Sequence, residues 1–301
     1  MGHLDGKVAV VTGAGRGIGR GEALLLAAEG AAVVVNDVGA ALDGGAEGAA
    51  VAEEVAQQIR SAGGRAAANT DDVSTWEGAK RLVDQAVGTF GDLNIVVNNA
   101  GVVRDRMSFN MDEDDFDTVI RVHVKGHFAT ARFAAAYWRG RSKAGEPVYG
   151  RIVNTTSEAG LWGTPGQANY AAAKGAIASM TLTLAREMER FGVTVNAIAP
   201  RARTRMTESI GAQIGDPDAP FDEWDPDNVA PAVAWLASEA AAGVSGHVFM
   251  VFGGRVHLIE GHRDVSSISK PGRWTVAELA ERQAELFAGR PVGVPGFAIT
   301  A

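Results

Sequence analysis

The chain has 301 residues, of which 46% are hydrophobic and 21% charged, a composition typical of a globular protein rather than a disordered one. Its net charge of −8 argues against a nucleic-acid-binding protein, which usually carries a basic face. Cysteine is absent, which excludes disulfides, thiolate catalysis and cysteine-ligated zinc. No apolar run is long enough to cross a bilayer and no secretory leader opens the chain, so we expect a cytoplasmic protein without membrane contacts.

Strand-like apolar runs alternate with helical patterns as far as residue 254. The predicted strands cover residues 7–12, 32–36, 65–69, 93–98, 151–155, 194–199 and 248–252. The clearest predicted helices cover residues 18–29, 112–138, 170–191 and 229–238, with a last one at 276–287. Near-continuous apolar strands separated by amphipathic helices indicate a parallel sheet covered on both faces. We therefore predict an α/β protein with a Rossmann-like, doubly wound sheet of about seven strands. A single domain, residues 1–254, would carry the sheet and precede a short helical extension, residues 255–301.

A glycine-rich segment, TGAGRGIG at residues 12–19, directly follows the first strand and opens the next helix. Gly13, Gly17 and Gly19 allow a tight turn and a close approach of the backbone to a pyrophosphate. The N-terminus of the helix faces the negative charge of such a group. Glycines alone also fit an ordinary turn, but this context favours a dinucleotide site that includes Arg16 and Ile18.

Asp37 ends the second strand, where a carboxylate can bind the ribose hydroxyls of a dinucleotide. The same carboxylate would repel a 2′-phosphate, whereas Arg16 in the glycine loop would attract one. We give Asp37 the greater weight and expect NAD rather than NADP, with a plain turn role for Asp37 as the alternative.

Two further groups lie at carboxyl ends of strands, where doubly wound folds bind ligands. Asp72 and Val73 follow the third strand, and Asn99, Ala100 and Gly101 follow the fourth. Each group by itself is also compatible with a turn.

Tyr170 and Lys174 are four residues apart on a predicted helix and therefore lie side by side. Ser157 lies 13 residues before Tyr170, just past a strand. An ammonium beside a tyrosine favours the phenolate, so we expect Lys174 to lower the pKa of Tyr170 toward a useful range for acid–base catalysis. Ser157 would hold the substrate oxygen near the tyrosine hydroxyl. Taken alone, YAAAK could be no more than an alanine-rich start of a helix. The glycine loop and NNAG elsewhere in the chain favour the catalytic interpretation.

The motifs TGAGRGIG, NNAG and YAAAK, together with Ser157, resemble the short-chain dehydrogenase/reductase family over about residues 4–254. The resemblance implies that Ser157, Tyr170 and Lys174 are catalytic, with Tyr170 and Lys174 also touching the cofactor. It implies that the cofactor contacts include the following residues: Asp72, Val73, Asn99, Pro200 and Thr204. The family's Pro-Gly-x-x-x-Thr stretch reads here with Arg201 in place of glycine.

His123 lies where the family has a catalytic asparagine that fixes a water in its proton relay. The histidine either serves in that relay or only packs. His123 and His127 share a spacing that could face one metal, but without a neighbouring carboxylate motif we expect no metal site.

The segments VVVNDVG, NNAGVVRDRM, VHVKGHF, GQANYAAAK and APRARTRMT resemble a subgroup of this family. It comprises the dehydrogenase part of peroxisomal multifunctional enzymes acting on (3R)-3-hydroxyacyl-CoA, and bacterial relatives. The resemblance implies an NAD-dependent enzyme that interconverts a secondary alcohol and a ketone, with a 3-hydroxyacyl-CoA or hydroxysteroid substrate. The alternatives are an NADPH-dependent 3-oxoacyl-carrier-protein reductase and a redox-inactive dinucleotide sensor. The resemblance also implies a homodimer or homotetramer formed through the long helices.

Arg201, Arg203 and Arg205 alternate in the expected substrate loop. They either contact CoA phosphates, for which arginine is well suited, or pair with the acidic loop at residues 216–228.

Overall fold

Apolar runs that are buried along their whole length form the middle of one sheet. In this computed structural model, which describes residues 2–39, 50–207 and 215–295, Val8–Thr12 and Ala32–Asn36 are buried at every position. Such strands belong in a sheet that is covered on both faces. The strands are β1 (Val8–Thr12), β2 (Ala32–Asn36), β3 (Arg65–Asn69), β4 (Ile95–Asn98), β5 (Gly150–Thr155), β6 (Val193–Arg201), β7 (Val248–Phe252) and β8 (Arg255–Ile259).

The strand order is β3-β2-β1-β4-β5-β6-β7-β8. Strands β1 to β7 pair in parallel, and only β8 is antiparallel. The order reverses between β1 and β4, which opens the crevice at the carboxyl ends where such sheets bind ligands. The predicted Rossmann-like fold is therefore confirmed.

The described residues form ten α-helices. They are α1 (Gly17–Ala28), α2 (Ala50–Ser61), α3 (Trp76–Phe90), α4 (Glu113–Ile120), α5 (Gly126–Lys143), α6 (Glu158–Trp162), α7 (Ala168–Met188), α8 (Ala230–Ala237), α9 (Val276–Glu281) and α10 (Gln283–Phe287). One apolar cluster joins α1, α2 and α8 to the sheet, and a second joins α3, α5 and α7. None of the helices in the described part of the chain is long and apolar enough to cross a membrane.

The sheet has one strand more than the seven predicted. Phe252 pairs with Arg255 across the two-residue turn Gly253–Gly254, and Gly253 has a φ of +52°. A Gly-Gly pair between two extended runs is a typical hairpin signal. The sequence prediction instead ended the domain there, because β8 is largely exposed and lacks a buried apolar run.

The unit that contains the sheet ends at Ile259, and residues 260–301 form a second unit. The single helix predicted at 276–287 is divided into α9 and α10 at Arg282. Helix α9 begins with a capping box, in which Thr275 and Glu278 satisfy each other's backbone N–H groups. Trp274 lies between the cations of Lys270 and Arg282, at 5.3 and 5.2 Å from its ring.

The long helix predicted at 112–138 is interrupted by a π-helical turn, Arg121–Lys125, between α4 and α5. His123 lies in the middle of this turn. Single π turns within α-helices are frequent at functional sites. The π turn therefore marks the helix face that carries His123 as a candidate functional face.

Glu22 on α1 is fully buried, and neither carboxylate oxygen has a hydrogen-bond partner among the described residues. Burial raises the pKa of Glu22 to about 8, because a charged carboxylate is costly in an apolar interior. Its ordinary value is 4.5. The contribution of Glu22 to the free energy of unfolding is therefore fully present below pH 4.5. It decreases as the pH rises and is lost above about pH 8.

We expect Glu22→Met to stabilise the fold at pH 7 by about 3 kcal/mol, since the wild-type protein must keep a proton that the unfolded chain releases. The melting temperature should rise by roughly 6 to 12 °C. Thermal unfolding between pH 5 and 8.5 measures the effect. Glu22→Gln is the size-matched control, which should lose the pH dependence but gain less stability. A wild-type Tm that is independent of pH over this range would contradict the prediction.

Candidate active site

The glycine loop between β1 and α1 is shaped by close approaches that a side chain would block. Gly13 has a φ of +64°, and a Cβ there would lie 2.8 Å from the Cα of Ala100. A Cβ on Gly19 would lie 2.4 Å from both Asn99 Nδ2 and the Gly13 carbonyl oxygen. The glycines therefore let the loop pack directly on the segment that follows β4.

The N-terminus of α1 is open to an anion. Arg16 occupies the N-cap position, no side chain of the described residues caps the helix, and its first turn holds no acidic residue. The first N–H groups of a helix attract phosphate when nothing else binds them. A Cβ at Gly17 would lie 3.5 Å from Thr204 Cγ2, so Thr204 borders the same space. Ile18 packs on the core behind the loop. These residues fit the pyrophosphate of a dinucleotide.

Asn99 connects the loop to the end of β4. Its side-chain amide donates to the carbonyl oxygens of Thr12 and Gly13, both at 3.1 Å. Its own backbone N–H and that of Ala100 donate to Thr12 Oγ1 at 3.0 and 3.1 Å. The sequence prediction named Asn99 as a cofactor contact and missed Thr12. The first residue of TGAGRGIG was the signal, since a hydroxyl at a strand end can accept such bonds.

Asp37 directly follows β2 and lies beside the glycine loop. Its carboxylate accepts from the Gly15 N–H at 2.9 Å and from the Gly39 N–H at 2.8 Å. The carboxylate is therefore held against the glycine loop.

The remaining predicted cofactor contacts also follow strands. Asp72 is exposed and accepts from the Ser74 N–H at 2.9 Å, whereas Val73 is buried. Pro200 lies within β6. Gly101 has another evident role, because a Cβ there would lie 2.4 Å from His123 Cε1.

Ser157, Tyr170 and Lys174 meet at the carboxyl ends of β4 and β5. Ser157 is the N-cap of α6, and its Oγ accepts from the Ala159 N–H at 3.2 Å. That bond leaves the Ser157 hydroxyl hydrogen free to point toward Tyr170, whose pKa the Ser157 hydroxyl lowers. Lys174 is buried and donates from Nζ to the Thr155 carbonyl at 2.7 Å, while Nζ lies 5.4 Å from the Tyr170 ring centre.

The expected lowering of the pKa of Tyr170 by Lys174 is wrong for this structure. Burial raises the pKa of Tyr170 to about 12, the Ser157 hydrogen bond lowers it, and the charge of Asp105 raises it. Burial also lowers the pKa of Lys174 to about 7. The sequence spacing places the lysine near the tyrosine, but it does not reveal how strongly burial disfavours the charged form of each group.

Asn169 is a positioning residue that the sequence prediction did not identify. Its Oδ1 accepts from the Tyr170 N–H at 2.7 Å. Its Nδ2 donates to the carbonyls of Arg104 and Asp115, both at 3.0 Å. Asn169 thereby connects the start of α7 to α4 immediately beside Tyr170. Its place within GQANYAAAK was the only signal.

His123 is buried with its ring edge-on to Tyr170, at 5.3 Å between ring centres. Its Nε2 lies 2.8 Å from the Val102 carbonyl oxygen and 3.1 Å from the Val102 nitrogen. We assign the proton to Nε2, donating to the carbonyl. Burial and the charge of Lys174 hold the pKa of His123 well below its usual value, so the ring is neutral. His123 thus packs against the tyrosine, and its relay role stays a prediction.

No group of three potential ligands suited to a metal ion exists among residues 2–39, 50–207 and 215–295. His127 is buried, with Nε2 lacking a partner there, and burial holds its pKa well below the usual value.

The substrate-loop arginines divide between two carboxylates. Arg203 pairs with Asp222 through two hydrogen bonds of 2.6 and 3.1 Å, as the acidic-loop alternative predicted. Arg201 instead pairs with Glu158, which lies outside that loop.

Comparison with known proteins agrees with this architecture. The sequence profile of the short chain dehydrogenases matches residues 7–215. A hydroxyacyl-CoA dehydrogenase of Mycobacterium tuberculosis, ChsB1, is 49% identical over 95% of this chain and 90% of its own length. The mouse peroxisomal multifunctional enzyme type 2 is 40% identical over 88% of this chain, which spans 34% of that enzyme. The crystal structure of a short chain dehydrogenase from Mycobacterium avium, 52% identical, superposes with a TM-score of 0.87 over 98% of this chain and 99% of the other. The chain therefore belongs to the short-chain dehydrogenase family, as an oxidoreductase acting on CH–OH groups.

Proposed function

We propose that the protein oxidises the hydroxyl group of 3-hydroxyacyl-CoA thioesters with NAD, or runs the reverse reduction. The observation that carries this proposal is that Ser157, Tyr170 and Lys174 come together at the mouth of the dinucleotide crevice. Lys174 Nζ lies 5.4 Å from the Tyr170 ring centre and is fixed by the Thr155 carbonyl, and the Ser157 hydroxyl lowers the pKa of Tyr170. The substrate class is supported by relatives named as hydroxyacyl-CoA dehydrogenase and peroxisomal multifunctional enzyme.

In this proposal the dinucleotide supplies the group that accepts hydride from the substrate carbon. When substrate binds, the Ser157 hydroxyl turns its one hydrogen from Tyr170 to the substrate oxygen and holds that oxygen near Tyr170. The substrate hydroxyl proton then passes to the oxygen of Tyr170 in its phenolate form, which acts as the general base and becomes a neutral tyrosine. The Lys174 amine lies 5.4 Å from the Tyr170 ring centre and is fixed by its hydrogen bond to the Thr155 carbonyl. Among these three residues, Lys174 is therefore the one that can relay the proton away from Tyr170.

The proposal is tested by following NADH and NADPH oxidation with 3-oxoacyl-CoA esters of increasing chain length, with Tyr170→Phe as the blank. Turnover with NADH that depends on chain length and vanishes in the blank supports the proposal. Tight NADH binding without thioester turnover would reject the thioester, and steroids and simple secondary alcohols would be assayed next. Preference for NADPH and carrier-protein thioesters would indicate a 3-oxoacyl-carrier-protein reductase. A relative that is 38% identical to this chain carries that name. NADH binding without turnover of any substrate would indicate the sensor.

We propose NAD as the preferred cofactor because the Asp37 carboxylate is fixed against the glycine loop. A 2′-phosphate at the ribose would meet this negative charge, and like charges in contact cost several kcal/mol.

Asp37→Asn is therefore expected to shift the ratio of kcat/KM for NADPH over NADH upward by about 100-fold, a scale set by such repulsion. Steady-state kinetics with both cofactors measure it. Asp84→Asn removes an exposed carboxylate on α3 that pairs with Lys80, and this control should leave the ratio unchanged. An unchanged ratio in Asp37→Asn would show that Asp37 does not select the cofactor.

We also propose a homo-oligomer formed through the long helices. Phe116, Phe128 and Leu182 are 43%, 40% and 42% exposed on α4, α5 and α7, and apolar side chains of this size are commonly covered in assemblies. The dimer or tetramer state and the cytoplasmic location stay predictions.

A further inference from the structure

An ion pair lies directly behind the candidate catalytic serine. Arg201, the last residue of β6, donates from Nε to Oε1 of Glu158 and from Nη2 to Oε2 at 2.8 Å. The Glu158 side chain is 11% exposed and that of Arg201 is 31% exposed. A guanidinium that contacts both oxygens of a carboxylate fixes orientation as well as distance.

Glu158 is the first residue of α6 and the neighbour of Ser157 in the chain. Helix α6 has only five residues, far fewer than a helix needs to be stable by itself. Its orientation, and with it the direction of its N-cap Ser157, must therefore come from contacts with other elements.

One such contact is with α7. A Cβ on Gly160 would lie 2.5 Å from the Lys174 carbonyl carbon and from the Gly175 nitrogen, so α6 packs against the α7 backbone. Thr156 Oγ1 also donates to the Lys174 carbonyl at 2.6 Å. These contacts hold one side of the Ser157 segment to the helix that carries Tyr170 and Lys174.

The Arg201–Glu158 pair supplies the contact on the other side. The Arg201 guanidinium lies 5.6 Å from the ring centre of Phe252, which in turn packs edge-on against Trp224 at 5.0 Å. Arg201 is thus fixed to the ends of β6 and β7, and through Glu158 it fixes α6 to them.

We propose that Arg201 and Glu158 form a positioning pair that holds Ser157 in place beside Tyr170. The proposal rests on the proposed function, since it assumes that Ser157 and Tyr170 take part in the reaction. It explains why this chain has a long cation where the family pattern has glycine: the guanidinium is used within the protein, to orient α6.

The central test is the variant Arg201→Met/Glu158→Gln, which removes both charges and so avoids an unpaired buried carboxylate that would destabilise the fold. We expect kcat in the oxidation direction to fall by about 10- to 100-fold, the scale of a misplaced catalytic group. NADH affinity should stay within about two-fold, because the glycine loop is untouched.

The pH profile distinguishes positioning from a general loss of stability. The Ser157 hydrogen bond lowers the pKa of Tyr170, so its loss should move the ascending limb of kcat against pH to higher pH. Ser157→Ala should move it in the same direction, and Arg201→Lys, which keeps the charge but not the two-point contact, should give a smaller shift.

Arg203→Met/Asp222→Asn is the matched control. Arg203 and Asp222 also form a two-point pair, with side chains 27% and 14% exposed, but neither adjoins Ser157, Tyr170 or Lys174 in the chain. The ascending limb of kcat against pH in this control variant should coincide with that of the wild-type protein.

Two results together would overturn the proposed positioning role and leave the proposed function intact. They are a wild-type kcat and pH profile in Arg201→Met/Glu158→Gln and a reduced kcat in Ser157→Ala. Wild-type turnover in Ser157→Ala and Tyr170→Phe would instead overturn the proposed function.

Discussion

Tyr170→Phe is expected to lower kcat for the thioester by about 10²- to 10⁴-fold, the range that general acid–base catalysis contributes. Phenylalanine keeps the ring that packs against His123 but cannot accept or donate the substrate proton. NADH should bind as tightly as it does to the wild-type protein. Steady-state kinetics and a fluorescence titration with NADH measure the two effects separately.

The chain provides a matched control in another of its three tyrosines. Tyr137 is partly buried and donates a hydrogen bond to Asp92 at 2.8 Å, so Tyr137→Phe also removes one partnered hydroxyl. This control should keep its turnover. If both variants turned over at the wild-type rate, the proton would have to be carried by a group other than Tyr170.

The pH dependence adds a second readout of the same substitution. In the oxidation direction the base is the phenolate, so activity should rise with pH. Burial raises the pKa of Tyr170 to about 12 without a bound dinucleotide. The residual activity of Tyr170→Phe should lack this ascending limb.

Gly19→Ala is expected to weaken NADH binding by about 100-fold, because the added Cβ cannot fit within the glycine loop. It would lie 2.4 Å from the Gly13 carbonyl oxygen, which is backbone and cannot swing aside as a flexible side chain would. Moving the loop by about 1 Å disturbs every N–H group aimed at the pyrophosphate, and displacements of this size cost about 10²-fold. Titration with NADH measures the affinity, and circular dichroism checks that the variant is folded.

Gly88→Ala is the control for this substitution. Gly88 lies within α3, and a Cβ there would meet no atom within 4 Å. Alanine favours the helix over glycine by about 1 kcal/mol, so this variant should bind NADH normally and be slightly more stable. A folded Gly19→Ala protein with wild-type affinity would show that the dinucleotide does not depend on this loop.

The fold was predictable because its strands are continuous apolar runs bounded by turn residues. Ala32–Asn36 is buried at all five positions, and such a run has few alternatives in a soluble chain. β8 was missed because an edge strand needs no buried run. The π turn was missed because the spacing of apolar residues through 112–138 fits a continuous helix.

The candidate site was predictable where chemistry depends on spacing and not where it depends on burial. Tyr170 and Lys174 could be paired from their separation of four residues. The direction in which the pKa of Tyr170 shifts could not be predicted, because the extent of burial depends on the folded surroundings. The Arg201–Glu158 contact joins residues 43 positions apart, and no local pattern indicates which of several carboxylates an arginine selects.

The π turn between α4 and α5 has a geometric consequence for the helix as a whole. Asp115, Val119, His123 and His127 are all buried, although they follow one another at a constant interval of four. In a uniform α-helix each such interval advances about 40° beyond a full turn, so the fourth residue would have rotated about 120° away from the first. The wider turn at Arg121–Lys125 advances less per residue than an α-helical turn, so it opposes this rotation. One additional residue in a single turn thus helps to keep these four side chains facing the interior, from the acidic start of the helix to His123 beside Tyr170 and His127 one turn further on.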